Sequence, residues 1–200
     1  MTAIAYAFDP DLVDDVFGPA VRRHLGGSLT GTMSTADEAI RFAAAIGHRA
    51  WALAVELECV TSVDLSGARG EFNLSRYRFA GMRLRRLRLS GSVLSDCDFE
   101  GADLSGADLS NSCLTGCNFT KAILTGANLT GADVSWSTFD RTVMTRTDLR
   151  RASALDVALS PSKAEGLALD GSILTGAVDV STLAGCAAYR LRTFHTREHA

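Results

Sequence analysis

Large apolar residues recur every five positions along the middle of the chain, without interruption. A helix buries residues at a period of 3.6 and a half-buried strand at a period of 2, so a period of five fits neither. A strict repeat of this kind is typical of a solenoid. The sixteen positions are Leu74, Phe79, Leu84, Leu89, Leu94, Phe99, Leu104, Leu109, Leu114, Phe119, Leu124, Leu129, Val134, Phe139, Met144 and Leu149.

Phenylalanine occupies every fourth large position, at 79, 99, 119 and 139. If each pentad forms one side of a four-sided coil, residues twenty apart stack, which accounts for this spacing. A second series, two places before each large residue, is small from Ser92 onward. The narrow axis has no room for two large side chains per side. We therefore predict an all-β solenoid, a quadrilateral β-helix whose coils hydrogen-bond to one another.

Two stretches carry a recognisable motif: Gly101–Ser110 reads GADLSGADLS, and Gly126–Asp133 reads GANLTGAD. Both resemble the A(D/N)LXX motif of the pentapeptide-repeat family. The resemblance implies a right-handed quadrilateral β-helix. Tyr77, Met82 and Leu87 are large where the motif has small residues, which predicts a wider or strained first coil.

The repeat boundaries divide the chain into three regions. We expect an N-terminal helical or irregular extension at 1–57, the β-helix at 58–178 with a loop break near 160–166, and a C-terminal helix and tail at 179–200. Within the extension, Ser34 and Thr35 followed by two acids predict a helix start, and Gly47 predicts its end.

The C-terminal region changes to a helical period behind Asp179 or Ser181. The apolar stripe consists of Leu183, Ala187, Leu191 and Phe194. A solenoid end must be covered or paired, because it exposes strand edges and an open core. Gly176–Val180 followed by this helix resembles the C-terminal segment of the mycobacterial fluoroquinolone-resistance members of the family. That resemblance implies an end-to-end homodimer; a monomeric cap is the alternative.

Composition favours one soluble domain in the cytoplasm. The 200 residues are 46% hydrophobic, and none of their apolar runs approaches the ~18 residues of a membrane span. We expect a cytoplasmic location, since the sequence opens on no charged leader with an apolar run and cleavage site. The chain has five cysteines, and this odd number also favours a cytoplasmic location. Cys97 and Cys117 fall on stacked inward positions and are interpreted as core fillers rather than a disulfide.

Negative charge concentrates in the middle coils. Between residues 92 and 140, seven acids oppose one base, Lys121. That span covers near 12 Å at the sheet spacing, where duplex DNA carries on the order of seven charges. Family members that protect DNA gyrase are thought to act as mimics of duplex DNA. The resemblance therefore implies a gyrase-binding surface made of Asp96, Asp98, Glu100, Asp103, Asp108, Asp133 and Asp140.

The first full coil is basic instead. It carries Arg76, Arg78, Arg83, Arg85, Arg86 and Arg88 with no acid between residues 72 and 91. From 72 to 151 eleven bases oppose eight acids, so the chain is not a uniform copy of DNA. The arginines either form a solvated rim, with Arg78 paired to Asp98 and Arg83 to Asp103, or a basic contact surface for an acidic patch on a partner or for nucleic acid. Direct nucleic-acid binding is not expected, because no exposed aromatics are interleaved with the arginines.

The sequence does not favour catalysis. The histidines, His24, His48, His195 and His199, all lie outside the repeats, without the spacing of a metal site. The acids between Asp9 and Asp15 miss the EF-hand pattern. A filled solenoid also offers no pocket. We expect no enzymatic activity, metal or cofactor; an enzyme would need a pocket holding His24 or His48 beside a carboxylate.

By resemblance, the expected function is binding to DNA gyrase, a type II topoisomerase, and resistance to quinolone-like or natural-product inhibitors. The mechanism would be occupation of the enzyme's DNA-binding saddle by a rod of duplex-like width. The alternative is a scaffold or regulatory module that binds another protein through the arginine coil or the N-terminal region.

Overall fold

The main body of the chain is a four-sided parallel β-helix. On each side, one residue per pentad pairs with the residue twenty positions further, as Asn73 does with Val93 and Asp98 with Asn118. The predicted solenoid and its stacking interval are confirmed. The computed structural model describes residues 4–7, 30–48, 51, 60–61, 67–161 and 163–178.

Coils and sides are numbered along the chain. Coil 1 covers residues 72–91, and each later coil adds twenty residues, so that coil 5 covers 152–171. Sides 1 to 4 are the pentads whose large residues in coil 1 are Leu74, Phe79, Leu84 and Leu89. Within a pentad, the residue before the large one is the bridging residue, and the two residues after it form the turn.

The turns between sides have a common conformation. The amide of Tyr77 donates to the carbonyl of Leu74 at 3.3 Å, and this bond recurs from pentad to pentad. The second turn residue is left-handed in nearly every described pentad, with φ of 65° at Gly101 and 59° at Trp136. These are type II turns, which glycine forms without cost. Tryptophan in this conformation costs roughly 1 kcal/mol.

The interior consists of the two predicted series. Four phenylalanine rings stack along side 2 with centroids 5.2, 5.1 and 4.9 Å apart. In the small series, polar side chains donate to carbonyls of the preceding coil: the Cys97 thiol to Leu74 at 3.0 Å, and the Ser137 hydroxyl to Leu114 at 2.8 Å. Cys97 and Cys117 are free thiols at the predicted inward positions. Their mutual contact, together with burial, raises the pKa of Cys117.

The N-terminal region is more regular than expected. Its helix α1 spans Ala36–Ile46, with Thr35 as N-cap in a capping box with Glu38 and Gly47 as C-cap, as the sequence predicts. Three short strands form an antiparallel sheet in the order β2-β1-β3. They are β1 (Ile4–Ala7), β2 (Thr30–Met33) and β3 (Val60–Thr61).

Helix α1 joins the solenoid at its first coil. The Tyr77 hydroxyl donates to the carbonyl of Ala43 at 2.7 Å, and the Arg69 amide donates to Asp37 Oδ1 at 2.7 Å. Tyr77, Met82 and Leu87 are all buried in one apolar core that continues into α1. The large residues expected to strain the first coil therefore fill the end of the core that α1 shares.

The described residues on both sides of position 162 keep the repeat, and the loop break expected near 160–166 is wrong. Bridges join Val143 to Lys163 and Asp148 to Ala168, twenty residues apart as elsewhere. This coil is hard to recognise in the sequence because small and large residues take each other's positions in it. Small residues, Ala154 and Ala164, take large positions, and the next small positions hold larger ones, Val157 and Leu167; all four are buried.

The longest paired strands of the described residues are parallel and belong to consecutive coils: β4 (Ser153–Leu159) lies in coil 5, and β5 (Ile173–Val178) in the described part of coil 6. The C-terminal stripe of Leu183, Ala187, Leu191 and Phe194 lies outside the described residues. No helix within the described part of the chain is both long and apolar enough to cross a membrane.

The junction between α1 and the solenoid can be tested with Tyr77→Phe. Losing the hydroxyl removes one of the two hydrogen bonds that the Ala43 carbonyl accepts and leaves the Gly47 amide as its donor, which should cost about 1 kcal/mol of unfolding free energy. We expect a lower urea midpoint and faster amide hydrogen exchange in α1. Ser90→Ala, an exposed turn position of the same coil, is the control and should change stability by less than ~0.5 kcal/mol. Unchanged exchange in α1 would show that the contact does not hold the helix in place.

Candidate protein-interaction surface

Four of the predicted acids are bridging residues, and each belongs to a different side. Their carboxylates take part in the turns: Asp98 Oδ1 accepts the amide of Glu100, and Asp103 Oδ1 that of Ser105, both at 3.1 Å. Asp108 and Asp133 form the same bond. Such bonds are the reason that Asp and Asn favour turns. One oxygen of each carboxylate is therefore engaged, which the sequence did not reveal because only ion pairs between coils were predicted for these acids.

The other three acids occupy turn positions and project further. Side chains of Asp96 and Glu100 are 60% and 45% exposed, against 15% for Asp103. Asp140 accepts a hydrogen bond from the Ser160 hydroxyl at 2.6 Å. The structure thus groups four of the seven predicted acids on side 2 and its leading corner. We call Asp96, Asp98, Glu100 and Asp140 the side-2 acids.

Bases of neighbouring coils pair with the acids of coil 2. Arg76 approaches Asp96 to 3.7 Å, and Lys121 approaches Glu100 to 3.1 Å. The predicted pair of Arg78 and Asp98 is present, at 4.0 Å. Since all these side chains are at least a third exposed, the pairs add little stability and can exchange for a partner's charges.

The predicted pair of Arg83 and Asp103 is wrong. Arg83 does lie one coil below Asp103, but Arg85 makes the ion pair through Nε. Arg85 follows the large residue Leu84, and its side chain reaches Asp103 Oδ2 from the turn. Burial alone would raise the pKa of Asp103, but hydrogen bonds from Ser105 and Arg85 outweigh it and lower that pKa.

The remaining bases of coil 1 form a distinct surface. Arg83, Arg86 and Arg88 are exposed on sides 3 and 4, and their side chains make no ion pair or hydrogen bond with any residue that the structure describes. We call these three the free arginines. The predicted basic surface of six arginines is thereby divided into three paired residues, Arg76, Arg78 and Arg85, and the free arginines.

One exposed residue was missed altogether. Trp136 is 62% exposed, and it is the sole aromatic among the large apolar side chains exposed in the described part of the chain. It occupies the left-handed turn position that Gly or Arg fills in most of the other pentads. A tryptophan in the outward series, five residues before Arg141, was the available signal.

No arrangement typical of an active site is present among the described residues. A shallow depression is lined by Thr130, Arg150, Arg151 and Asp170, and it holds neither histidine nor cysteine. His48 packs edge-on against the Tyr77 ring at 6.3 Å. No cluster of three or more metal-ligating residues occurs in the described ranges. The remaining candidates, His24, His195, His199 and the acids from Asp9 to Asp15, lie outside those ranges.

The chain carries a pentapeptide-repeat domain. The family model "Pentapeptide repeats" matches in eight copies within residues 73–111, 83–120, 102–141 and 127–163. The match lies within residues 73–163, agrees with the resemblance predicted from the repeat and supports the right-handed coil. A search of curated proteins gives no match.

Several solved structures are similar to the chain. HetL from the cyanobacterium Nostoc, a pentapeptide repeat protein involved in heterocyst differentiation regulation, is 26% identical over 56% of this chain and 54% of its own, with a TM-score of 0.35. The match thus spans about half of HetL. Rfr23 from the cyanobacterium Cyanothece is 23% identical over 62% and 97%, with a TM-score of 0.34. Trypsin-treated QnrB1, a plasmid-mediated fluoroquinolone resistance protein, is 18% identical over 66% and 76%, at 0.29.

The double role of Asp103 predicts a pH dependence. An unfolded aspartate has a pKa of about 3.9. Since the folded pKa is lower, the unfolded chain takes up the proton first, and stability falls as the pH drops from about 5 through the folded pKa. Asp103→Asn should flatten this part of a curve of unfolding free energy against pH.

The matched control is Asp156→Asn. The Asp156 carboxylate is exposed and forms no bond with a described residue, so its removal should leave the acid limb of the curve in place. If Asp103→Asn and wild type lost stability in parallel between pH 6 and pH 3, the bonds to Ser105 and Arg85 would not stabilise the fold.

Proposed function

We propose that this protein is a non-enzymatic binding protein of the cytoplasm that occupies the basic DNA-binding groove of a type II topoisomerase, DNA gyrase. By doing so it would confer resistance to quinolone-like or natural-product inhibitors of the enzyme. The observation that carries the proposal is the alignment of the side-2 acids along one side and corner of a straight β-helix.

The spacing of the side-2 acids suits a groove that binds a phosphate backbone. Coils are about 4.8 Å apart, so Asp140, two coils beyond Glu100, lies roughly 10 Å from it. Asn118 and Thr120, which add no charge, stand between them. Acids presented at this spacing can attract a basic groove over a distance and fix the orientation of the rod.

Existing ion pairs do not prevent such binding. The bases beside Asp96 and Glu100 are well exposed, with Arg76 and Lys121 at 70% and 56%. Exposed pairs contribute about 0–1 kcal/mol, so cations of a partner can replace them at small cost. The proposal rests on this surface and not on the likeness to QnrB1, which is confined to the repeat fold. We further propose that the C-terminal stripe joins two copies as a homodimer and so lengthens the rod.

The proposal predicts the result of a supercoiling assay with purified DNA gyrase. The protein should inhibit supercoiling, or restore it when a cleavage-stabilising quinolone is present. Glu100→Lys with Asp140→Lys should abolish the effect, because the variant presents cations to a basic groove. We expect the potency of the variant to fall at least tenfold, and a tenfold loss corresponds to about 1.4 kcal/mol of binding free energy.

A control with the same change in net charge separates local from general electrostatics. Glu165→Lys with Asp170→Lys reverses two exposed acids on sides 3 and 4 of coil 5. This variant should act like wild type. Equal loss of activity in both variants would show that net charge alone causes the effect. No effect of the wild type at tens of micromolar would refute gyrase as the partner.

The free arginines favour a second candidate function, that of a scaffold for an acidic protein. Three exposed guanidinium groups without an internal partner keep their full capacity for carboxylates. Fluorescence anisotropy with labelled poly-glutamate tests this. Replacing Arg83, Arg86 and Arg88 by alanine should weaken binding more than replacing the paired Arg76, Arg78 and Arg85, although both variants lose three charges. Equal weakening would remove the special role of the free arginines.

A further inference from the structure

Trp136 stands at the corner between sides 1 and 2, on a column of turn residues that stack from coil to coil. The column contains Arg76, Asp96, Gly116, Trp136 and Asp156. Both acids nearest to Trp136 in this column carry exposed carboxylates. A large, exposed aromatic side chain therefore lies between two negative charges.

The residues around Trp136 leave its ring accessible. A Cβ atom at Gly116, directly below, would lie 2.6 Å from Asp96 Oδ1, so the Asp96 carboxylate extends over a position without a side chain. The neighbouring turn residues of side 1 are short, with hydroxyl groups at Ser95, Thr115 and Ser135. The indole consequently has no long side chain beside it at these positions and is 62% exposed.

Apolar residues continue the surface on one flank. The amide of Trp136 donates to the carbonyl of Leu155 at 2.7 Å, and Ile173 pairs with Ser153 on the next coil. Leu155 is 38% and Ile173 49% exposed. Trp136, Leu155 and Ile173 thus form a diagonal line of exposed apolar side chains across side 1, over coils 4 to 6.

We propose that Trp136 is an anchor that receives an arginine side chain from a basic surface of a protein partner. The guanidinium plane stacks on the indole, which is the aromatic group that attracts cations most strongly. Its N–H groups then lie within reach of carboxylates above and below, from Asp156 and Asp96. The apolar line accepts the aliphatic part of the same or a neighbouring side chain.

The charges select this occupant over others. Asp96, Asp133 and Asp156 around the indole repel phosphates, so stacking of a nucleic-acid base is disfavoured. An ammonium group can approach the indole but cannot stack on it, so arginine should be preferred to lysine. Tryptophan and arginine are also the residues most enriched among those that dominate binding energy at interfaces.

This inference deepens the proposed function, and rests on it for the identity of the partner: the arginine would belong to the basic groove that the side-2 acids enter. Asp96 belongs to both surfaces. Binding through the corner would place side 1 as well as side 2 against the partner.

The key variant is Trp136→Gly, which suits the left-handed turn and should keep or raise the melting temperature. Labelled peptides of alternating arginine and glycine, and of lysine and glycine, serve as probes in anisotropy titrations. Wild type should bind the arginine peptide more tightly than the lysine peptide. Trp136→Gly should weaken arginine-peptide binding about tenfold and abolish the preference. Ile123→Ala, an exposed apolar residue on side 3, is the control and should bind like wild type.

Titration of purified DNA gyrase with the same variants separates this inference from the proposed function. Gyrase binding that Trp136→Gly leaves unchanged, with no arginine preference, would overturn the anchor and keep the proposed function. Arginine-peptide binding through Trp136 without gyrase binding would keep the anchor and overturn the proposed partner. Binding of a single-stranded oligonucleotide that is lost in Trp136→Gly would overturn the assignment to arginine.

Discussion

Hydrogen bonds between coils are the interaction on which the rest of this structure depends. The amide of Leu94 donates to Cys113 one coil ahead, at 2.7 Å, while the amide of Val93 donates to Phe72 one coil behind, at 2.9 Å. Within a coil, the turn bonds join residues only three apart. A single coil therefore cannot satisfy its own backbone, and each is stable only between two neighbours.

This dependence explains what happens at the N-terminal end. Among the described residues no full coil lies beneath coil 1, so its inward side chains need another cover. Tyr77 fills that place with an aromatic ring that stacks on Phe79 at 5.9 Å and gives its hydroxyl to the Ala43 carbonyl. Burial, and to a smaller degree the nearby Cys97, raises the pKa of this hydroxyl to about 12, so it stays a donor at any physiological pH. The large residues of coil 1 in the small series, Tyr77, Met82 and Leu87, thus close the N-terminal end of the solenoid core.

The sequence predicts the parts of the fold that local volume and period decide. The phenylalanine stack and the cap of α1 follow from residue types at fixed spacing. The same reasoning does not predict coil 5, because Ala164 is small at a large position and Leu167 is large at a small one. A rule applied to each position alone does not detect such a compensated pair. The three-stranded sheet escapes as well, since β3 has only two residues and pairs with a strand more than fifty positions away.

The surface was harder to predict than the core, because a charge counted from the sequence can have two functions. Asp108 illustrates this: its Oδ1 accepts bonds from the Ser110 amide and from Asn128 of the next coil. Asn118 and Asn128 make the same turn bond without a charge, so an acid at a bridging position serves the turn first. The described acids at turn positions do not form this turn bond. The side chains available to a partner are therefore those of turn residues such as Asp96, Glu100 and Asp156, together with the exposed aromatic side chain of Trp136.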